Sequence, residues 1–164
     1  MTVIAWDGEF MVADRKVSMP SHSFASTKIF IVPDGIVGCA GDNNRCEELT
    51  EWFMNGRPAD KFPAGKGSGP AADKAKALFV SNDYEIFLYL DSSRPTKVDQ
   101  TYMAIGSGAA PAMVAMHLEH SAIVAVKAVN TIVNTCGMGY DVYQRWSCEG
   151  SGGFTLRPEM GRRA

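Results

Sequence analysis

Near the start of the chain, Thr2, Asp14 and Lys28 have the side-chain types and order needed for covalent hydrolysis. Thr2 directly follows Met1, and a small residue at that position permits removal of the methionine, so the mature chain is expected to begin with a threonine. A terminal threonine carries a hydroxyl and a free α-amine on one residue. With a reference pKa of about 7.7–8.0 the amine is partly neutral near physiological pH and can take the hydroxyl proton, directly or through a water. Threonine beside its own terminal amine is a recognised activated nucleophile.

The elements around these residues place them together. Thr2 to Trp6 and Glu9 to Ala13 are strand-like runs joined by Asp7-Gly8, a strong signal for a two-residue hairpin turn. The hairpin returns the chain past its own start, which puts Asp14 close to Thr2. Lys28 opens the next strand, where a cation lowers the pKa of a neighbouring reacting group. Gly41 sits where a strand gives way to a helix, and a helix N-terminus offers unpaired N–H groups to a developing oxyanion. Taken alone, Gly41 reads equally as a turn glycine.

The remaining chain reads as strands and helices in turn. Residues 17–26 hold Pro20, His22 and several serines without periodicity, and are expected to be a loop. Lys28 to Val32, Pro33-Asp34-Gly35 and Ile36 to Ala40 make a strand, turn and strand, expected to share one sheet with the first hairpin. A helix follows, with several possible N-caps in Gly41-Asp-Asn-Asn44, with Asn44 and Glu47 at capping-box spacing and Cys46, Leu49, Trp52 and Phe53 recurring at helical intervals; Gly56 and Pro58 end it. Ala75 to Ser81 and Tyr84 to Leu90 form a third hairpin about Asn82-Asp83, and Thr101 to Ile105 a further strand. Helices are expected over 109–120, with Pro111 in the first turn, and from Ser121 to Thr135, ended by Gly137. Ser107, in Ile105-Gly-Ser-Gly108, lacks the glycine pattern of a nucleophile elbow and reads as a helix-entry residue. Tyr140 to Tyr143 is a closing strand. One domain over residues 1–148 and a frayed tail over 149–164 are expected. The glycines of Gly65-Lys-Gly-Ser-Gly-Pro70 lack the Walker spacing and read as a flexible connection.

In order along the chain, this pattern resembles the proteasome β-subunits and the bacterial HslV peptidase, which are N-terminal-nucleophile (Ntn) hydrolases. The residues that carry the resemblance are Thr2, Ala13-Asp14 with Lys16, Thr27-Lys28, Ala40-Gly41, Ile105-Gly-Ser-Gly108 and Asp141. The resemblance covers roughly residues 2–147. It implies an α+β fold, a four-layer αββα sandwich with antiparallel sheets. Thr2 would be the nucleophile, Asp14 and Lys28 its electrostatic partners, the Gly41 N–H the oxyanion donor, and Ser107 and Asp141 the outer support. Residues 17–26 would help to form the substrate pocket. The chain departs from the family in Asp42, where a second glycine is common, in Gln144, where a serine is expected, and in a slightly short interval between Asp14 and Lys28.

The implied activity is that of a threonine-type peptidase, acting on peptides or unfolded proteins inside a homo-oligomeric ring, with an ATP-driven unfoldase as a candidate partner. Trp52, Phe53 and the methionines are expected to offer apolar surface to neighbouring subunits. The alternative is a non-catalytic scaffold subunit of the same fold. Composition agrees with an ordinary globular chain: 164 residues, 46% hydrophobic and 21% charged, enough to bury roughly 68–70% of the unfolded surface. A net charge of −2, and no basic patch with interleaved aromatics ahead of the short Arg162-Arg163 end, give no footprint for nucleic acid. Asp7 and Glu9 stand where a signal peptide would be apolar, and no apolar run approaches the roughly 20 residues of a membrane span. A cytoplasmic location is expected. Cys39, Cys46, Cys136 and Cys148 form no C-x-x-C pair and read as reduced, mostly buried thiols. His117 and His120 read as surface residues, and no metal or cofactor is called for.

Overall fold

The computed structural model describes residues 2–65 and 74–158; Met1, the glycine segment from Lys66 onward and the Arg162-Arg163 end lie outside the described residues. Twelve strands and three α-helices are described: β1 (Val3–Trp6), β2 (Phe10–Asp14), β3 (Lys16–Ser18), β4 (Ser23–Ala25), β5 (Ile29–Val32), β6 (Gly35–Gly41), α1 (Asn43–Met54), β7 (Ala75–Ser81), β8 (Ile86–Tyr89), β9 (Thr96–Val98), β10 (Met103–Gly106), α2 (Ala109–His117), α3 (Ala122–Ile132), β11 (Tyr140–Cys148) and β12 (Ser151–Leu156). They form a five-stranded sheet in the order β10-β1-β2-β11-β12, a second in the order β5-β6-β7-β8-β9, and a β3-β4 ribbon. Every pairing among the described strands is antiparallel.

Strand periodicity explains the packing. Alternate residues of β1 face opposite ways. Val3 and Ala5 join Val12, Val126 and Val129 in a core against α2 and α3, while Ile4 and Trp6 join Ile36, Leu78 and Val80 of the second sheet. The other face of the second sheet packs Val37, Phe79 and Tyr89 against Leu49, Trp52 and Phe53 of α1. Strands apolar on both faces belong inside a stack of layers, not at its surface. None of the described helices is long and apolar enough to cross a membrane.

Several expectations are corrected. The two early hairpins do not share a sheet. β1-β2 carries apolar residues on both faces and is completed by β10 and β11, whereas β5-β6 pairs onward to β7. Residues 17–26 are a ribbon, not an irregular loop, since Lys16 pairs with Ala25 and Ser18 with Ser23. Three residues, Asp7 to Glu9, separate the strands of the first hairpin, where the Asp7 carboxylate accepts from the Glu9 and Phe10 N–H groups at 2.9 and 2.8 Å and so builds an Asx turn. Of the N-cap candidates in Gly41-Asp-Asn-Asn44, Asp42 is the one used, accepting from Arg45 N at 3.1 Å, and Asn44 and Glu47 lie within the helix. Trp52 and Phe53 are buried; the large apolar side chains left exposed include Val114, Leu118, Val124 and Ile132 of α2, α3 and the turn between them. Three cysteines are buried or half-buried, but Cys148 is exposed, and all four are free.

The tail expectation also fails over 151–156, where Ser151-Gly-Gly-Phe-Thr-Leu156 pairs with β11 as β12. Its anchor is Phe154, 6% exposed, which meets Trp6 and Tyr84 edge-on with ring centroids 5.9 Å away in each case. Phe154→Ala is therefore expected to cost about 3–5 kcal/mol in urea unfolding. A change below about 1 kcal/mol would return this segment to a loosely attached tail.

Candidate functional site

The carboxylate of Asp14, at the end of β2, is fully buried and collects four donors. Its Oδ1 accepts from Val3 N at 2.9 Å and Lys28 Nζ at 2.9 Å; its Oδ2 accepts from Lys16 N and Gly137 N, both at 3.2 Å. The Lys28 ammonium also donates to the Lys16 carbonyl at 2.7 Å. Such an ion pair persists in the interior because each charge is answered by an opposite charge and by hydrogen bonds. Burial pushes the Lys28 pKa down, and the neighbouring Asp14 partly offsets this.

Thr2, 6% exposed, is held from the other side by Ser107. Thr2 N donates to Ser107 Oγ at 3.2 Å, while the Thr2 carbonyl accepts from Gly108 N at 3.2 Å and from the Ser107 hydroxyl at 3.4 Å. This close approach needs a glycine before Ser107. At Gly106, φ is +96° and a Cβ would lie 2.0 Å from the Thr2 carbonyl oxygen. Ser107 therefore serves the start of β1 rather than capping a helix, and the α2 cap position is Gly108.

Thr2, Lys28 and Gly41 line one cavity of about 770 Å³, with Phe30, Cys39 and Cys46 in its wall. Gly41 occupies φ +135°, where a Cβ would stand 2.2 Å from the Lys74 carbonyl oxygen, so this junction of β6 with α1 excludes any side chain. Asp42, the departure from the family at the next position, has a structural purpose as the α1 cap. The cysteine thiols of the wall carry no charge at neutral pH. Burial raises Cys39 to about 12, and burial with the nearby Asp42 raises Cys46 to about 11. The ribbon residues Val17, Ser18 and Met19 border the same cavity, in line with the pocket role expected of that stretch.

Of the six residues singled out by sequence, Thr2 is hydrogen-bonded to Ser107 and Asp14 to Lys28, Asp14 also accepts from Val3 N next to Thr2, and Gly41 shares the cavity with Thr2 and Lys28. Asp141 is placed differently. It is 3% exposed, its Oδ1 lies 3.6 Å from Arg15 Nε, and it sits opposite Ala13 in the β11-β2 register. Ser107 instead has Thr135 Oγ1 at 3.1 Å and Cys136 Sγ at 3.9 Å. Gln144 donates to Glu9 at 2.9 Å on the same strand pair, so its departure from the family leaves these contacts untouched. Sequence reading missed the Lys16 carbonyl, the Gly137 and Gly108 N–H groups, Thr135 and Cys136. The one available signal was Gly137-Met-Gly139, a run that takes positive φ at all three residues.

Among solved structures the chain is similar to a protein of Thiobacillus denitrificans, described as BPH in complex with epoxomicin. The TM-score is 0.66 at 16% identity, covering 88% of this chain and 97% of that one. No protein-family model and no curated protein matches the sequence. The likeness is one of fold.

The Asp14 cluster gives a direct test. In Asp14→Asn one carboxylate oxygen becomes an NH₂ that faces N–H or ammonium donors, and the buried Lys28 loses its counter-charge. The expected loss is about 3–5 kcal/mol in urea unfolding. A loss below about 1 kcal/mol would show that the four-donor cluster does not hold the site together.

Proposed function

We propose that this protein is a threonine-type N-terminal-nucleophile hydrolase that cleaves peptide bonds, with the proteasome-like four-layer αββα arrangement and a homo-oligomeric ring as its working form. The observation that carries this reading is the convergence at one cavity mouth of Thr2, held by Ser107 and followed by Val3 whose N–H Asp14 accepts, with the buried Lys28 cation and the side-chain-free Gly41. Epoxomicin is a threonine-protease inhibitor, and the similar Thiobacillus denitrificans fold was solved with it bound. This supports the same chemistry here.

With Met1 removed, the Thr2 α-amine takes the proton from the Thr2 hydroxyl as Oγ1 attacks the scissile carbonyl carbon. The carbonyl π electrons move to oxygen, and the Gly41 N–H at the head of α1 stabilises that oxyanion; losing one such donor typically costs about 2.7–4 kcal/mol of transition-state stabilisation. The oxyanion collapses, the C–N bond breaks, and the departing amine leaves with the proton held by the Thr2 ammonium. A water, deprotonated by the same amine, then cleaves the Thr2 ester and regenerates the hydroxyl. Lys28 supplies a positive charge that favours the developing alkoxide, while Asp14 keeps that lysine in place. The wall of Phe30, Cys39 and Cys46 receives a substrate side chain next to the cleaved bond.

Epoxomicin is expected to add once per chain at residue 2, read by intact mass and peptide mapping, and Thr2→Ala to abolish both the adduct and hydrolysis while the fold persists. Assembled protein that has lost Met1, yet forms no adduct and cleaves no peptide of a broad panel, would establish the scaffold reading instead. A second expectation follows from Lys28. Its charged form is the useful one and burial lowers its pKa, so the alkaline limb of kcat/KM should fall below the ordinary lysine value of about 10.4. Lys28→Ala should nearly abolish turnover; activity within about threefold of the unsubstituted protein would remove this residue from the mechanism.

A further inference from the structure

The hydroxyl of Ser107 has more neighbours than it can serve as a donor. It owns one hydrogen and two lone pairs. Thr2 N donates to it, and three acceptors surround its single hydrogen: Thr135 Oγ1 at 3.1 Å, the Thr2 carbonyl at 3.4 Å and Cys136 Sγ at 3.9 Å. The Thr2 carbonyl, which also receives Gly108 N, lies farther off than Thr135 Oγ1, and sulfur is a weak acceptor. Thr135 is thus the best destination. Its position is fixed by the turn after α3, in which Cys136 N donates to the Val133 carbonyl at 2.9 Å and Cys136 is buried in the core beneath β1.

Loss of Met1 turns the Thr2 nitrogen into an amine with a lone pair, which becomes a fourth acceptor for the Ser107 hydrogen. We propose that Thr135 is a positioning residue which draws the Ser107 hydroxyl hydrogen away from the Thr2 amine, so that Ser107 only accepts from that amine and leaves its lone pair free to act as the base. This rests on the hydrolase reading above. The arrangement fills the supporting place that the family resemblance implied for Asp141, which pairs with Arg15 instead. Other titratable groups around the amine are Asp14 of β2, Lys16 of β3, Lys28 ahead of β5, Cys46 of α1 across the cavity, and Cys136 beside Ser107. Burial, with Asp14 close by, raises the Cys136 thiol, so it stays neutral and does not replace Thr135 as a strong acceptor.

The sign of the effect is fixed by the direction of one hydrogen bond. Without the Thr135 hydroxyl, Ser107 donates to the neutral amine and stabilises that form, so the amine pKa falls; the lone pair is occupied, so proton transfer slows. The test is Thr135→Val, nearly isosteric, against Thr135→Ser, which restores the hydroxyl. In protein labelled with [15N]threonine, the α-amine titration of Thr2 should move down by about 0.5 pH units or more in Thr135→Val. Plateau kcat should fall about tenfold with KM within about twofold, and Thr135→Ser should recover both. An unmoved amine titration in a Thr135→Val protein that still forms the epoxomicin adduct would overturn the proposal and leave the hydrolase reading standing. Equal damage from the serine variant would also overturn it, since that would trace the effect to packing of the methyl. If Thr135→Val does not fold, Thr135→Ala enters the same comparison. Absence of any adduct on the unsubstituted protein would remove both readings together.

Discussion

The arrangement of the whole site depends on one buried anion. Asp14 is out of contact with solvent and satisfies Val3 N, Lys16 N, Gly137 N and Lys28 Nζ at once. These donors belong to the first strand, the ribbon, the turn after α3 and the entry to the second sheet. A charge in that environment is costly to bury and is retained only where opposite charge and donors surround it. The four segments are therefore fixed relative to each other by the same group. What looks like a catalytic pair is also the joint between two sheets.

Around that joint the backbone is shaped by what cannot be present. The Ser107 turn comes within reach of Thr2 because Gly106 has no Cβ to strike the Thr2 carbonyl, and the β6 to α1 junction passes Lys74 because Gly41 has none either. The same junction carries the dipole of α1, with Asp42 satisfying Arg45 N. Packing on both faces of each large sheet makes these approaches rigid, since Val3 and Ile4 are locked into opposite cores. A residue held this way loses little freedom when a ligand arrives.

Much of this was legible in the sequence, and for identifiable reasons. Apolar runs beside turn residues, Thr2 to Trp6 and Ile36 to Ala40, set the strands, helical spacing of Leu49, Trp52 and Phe53 set α1, and of the ordered set of singled-out residues Thr2, Lys28 and Gly41 line one cavity. Sheet membership was not legible, because two hairpins with apolar faces look alike until their outer partners are known. The β12 strand was hidden by Gly152 and Gly153, which lower strand propensity, while Phe154 is its one buried apolar side chain. Asp7 reads as a turn residue, yet its Oδ2 also accepts Ala122 N at 2.7 Å, a contact 115 positions away that no local pattern announces. Thr135 and Cys136 escaped notice for the same reason: their importance lies in where α3 deposits them.

The two large sheets differ in how the chain supplies them. The second is drawn from one continuous stretch, β5 through β9, whereas the first takes β1 and β2 from the beginning, β10 from past the middle and β11 and β12 from the end. During synthesis, the first hairpin must wait with both apolar faces uncovered while the second sheet can close on itself by local pairing. The Asp14 carboxylate gains its Gly137 donor, and Thr2 its Ser107 contact, only after the distant segments have emerged. The surroundings of the first residues of the chain are thus completed by segments more than a hundred positions further on, and a chain broken off before them has no assembled cluster.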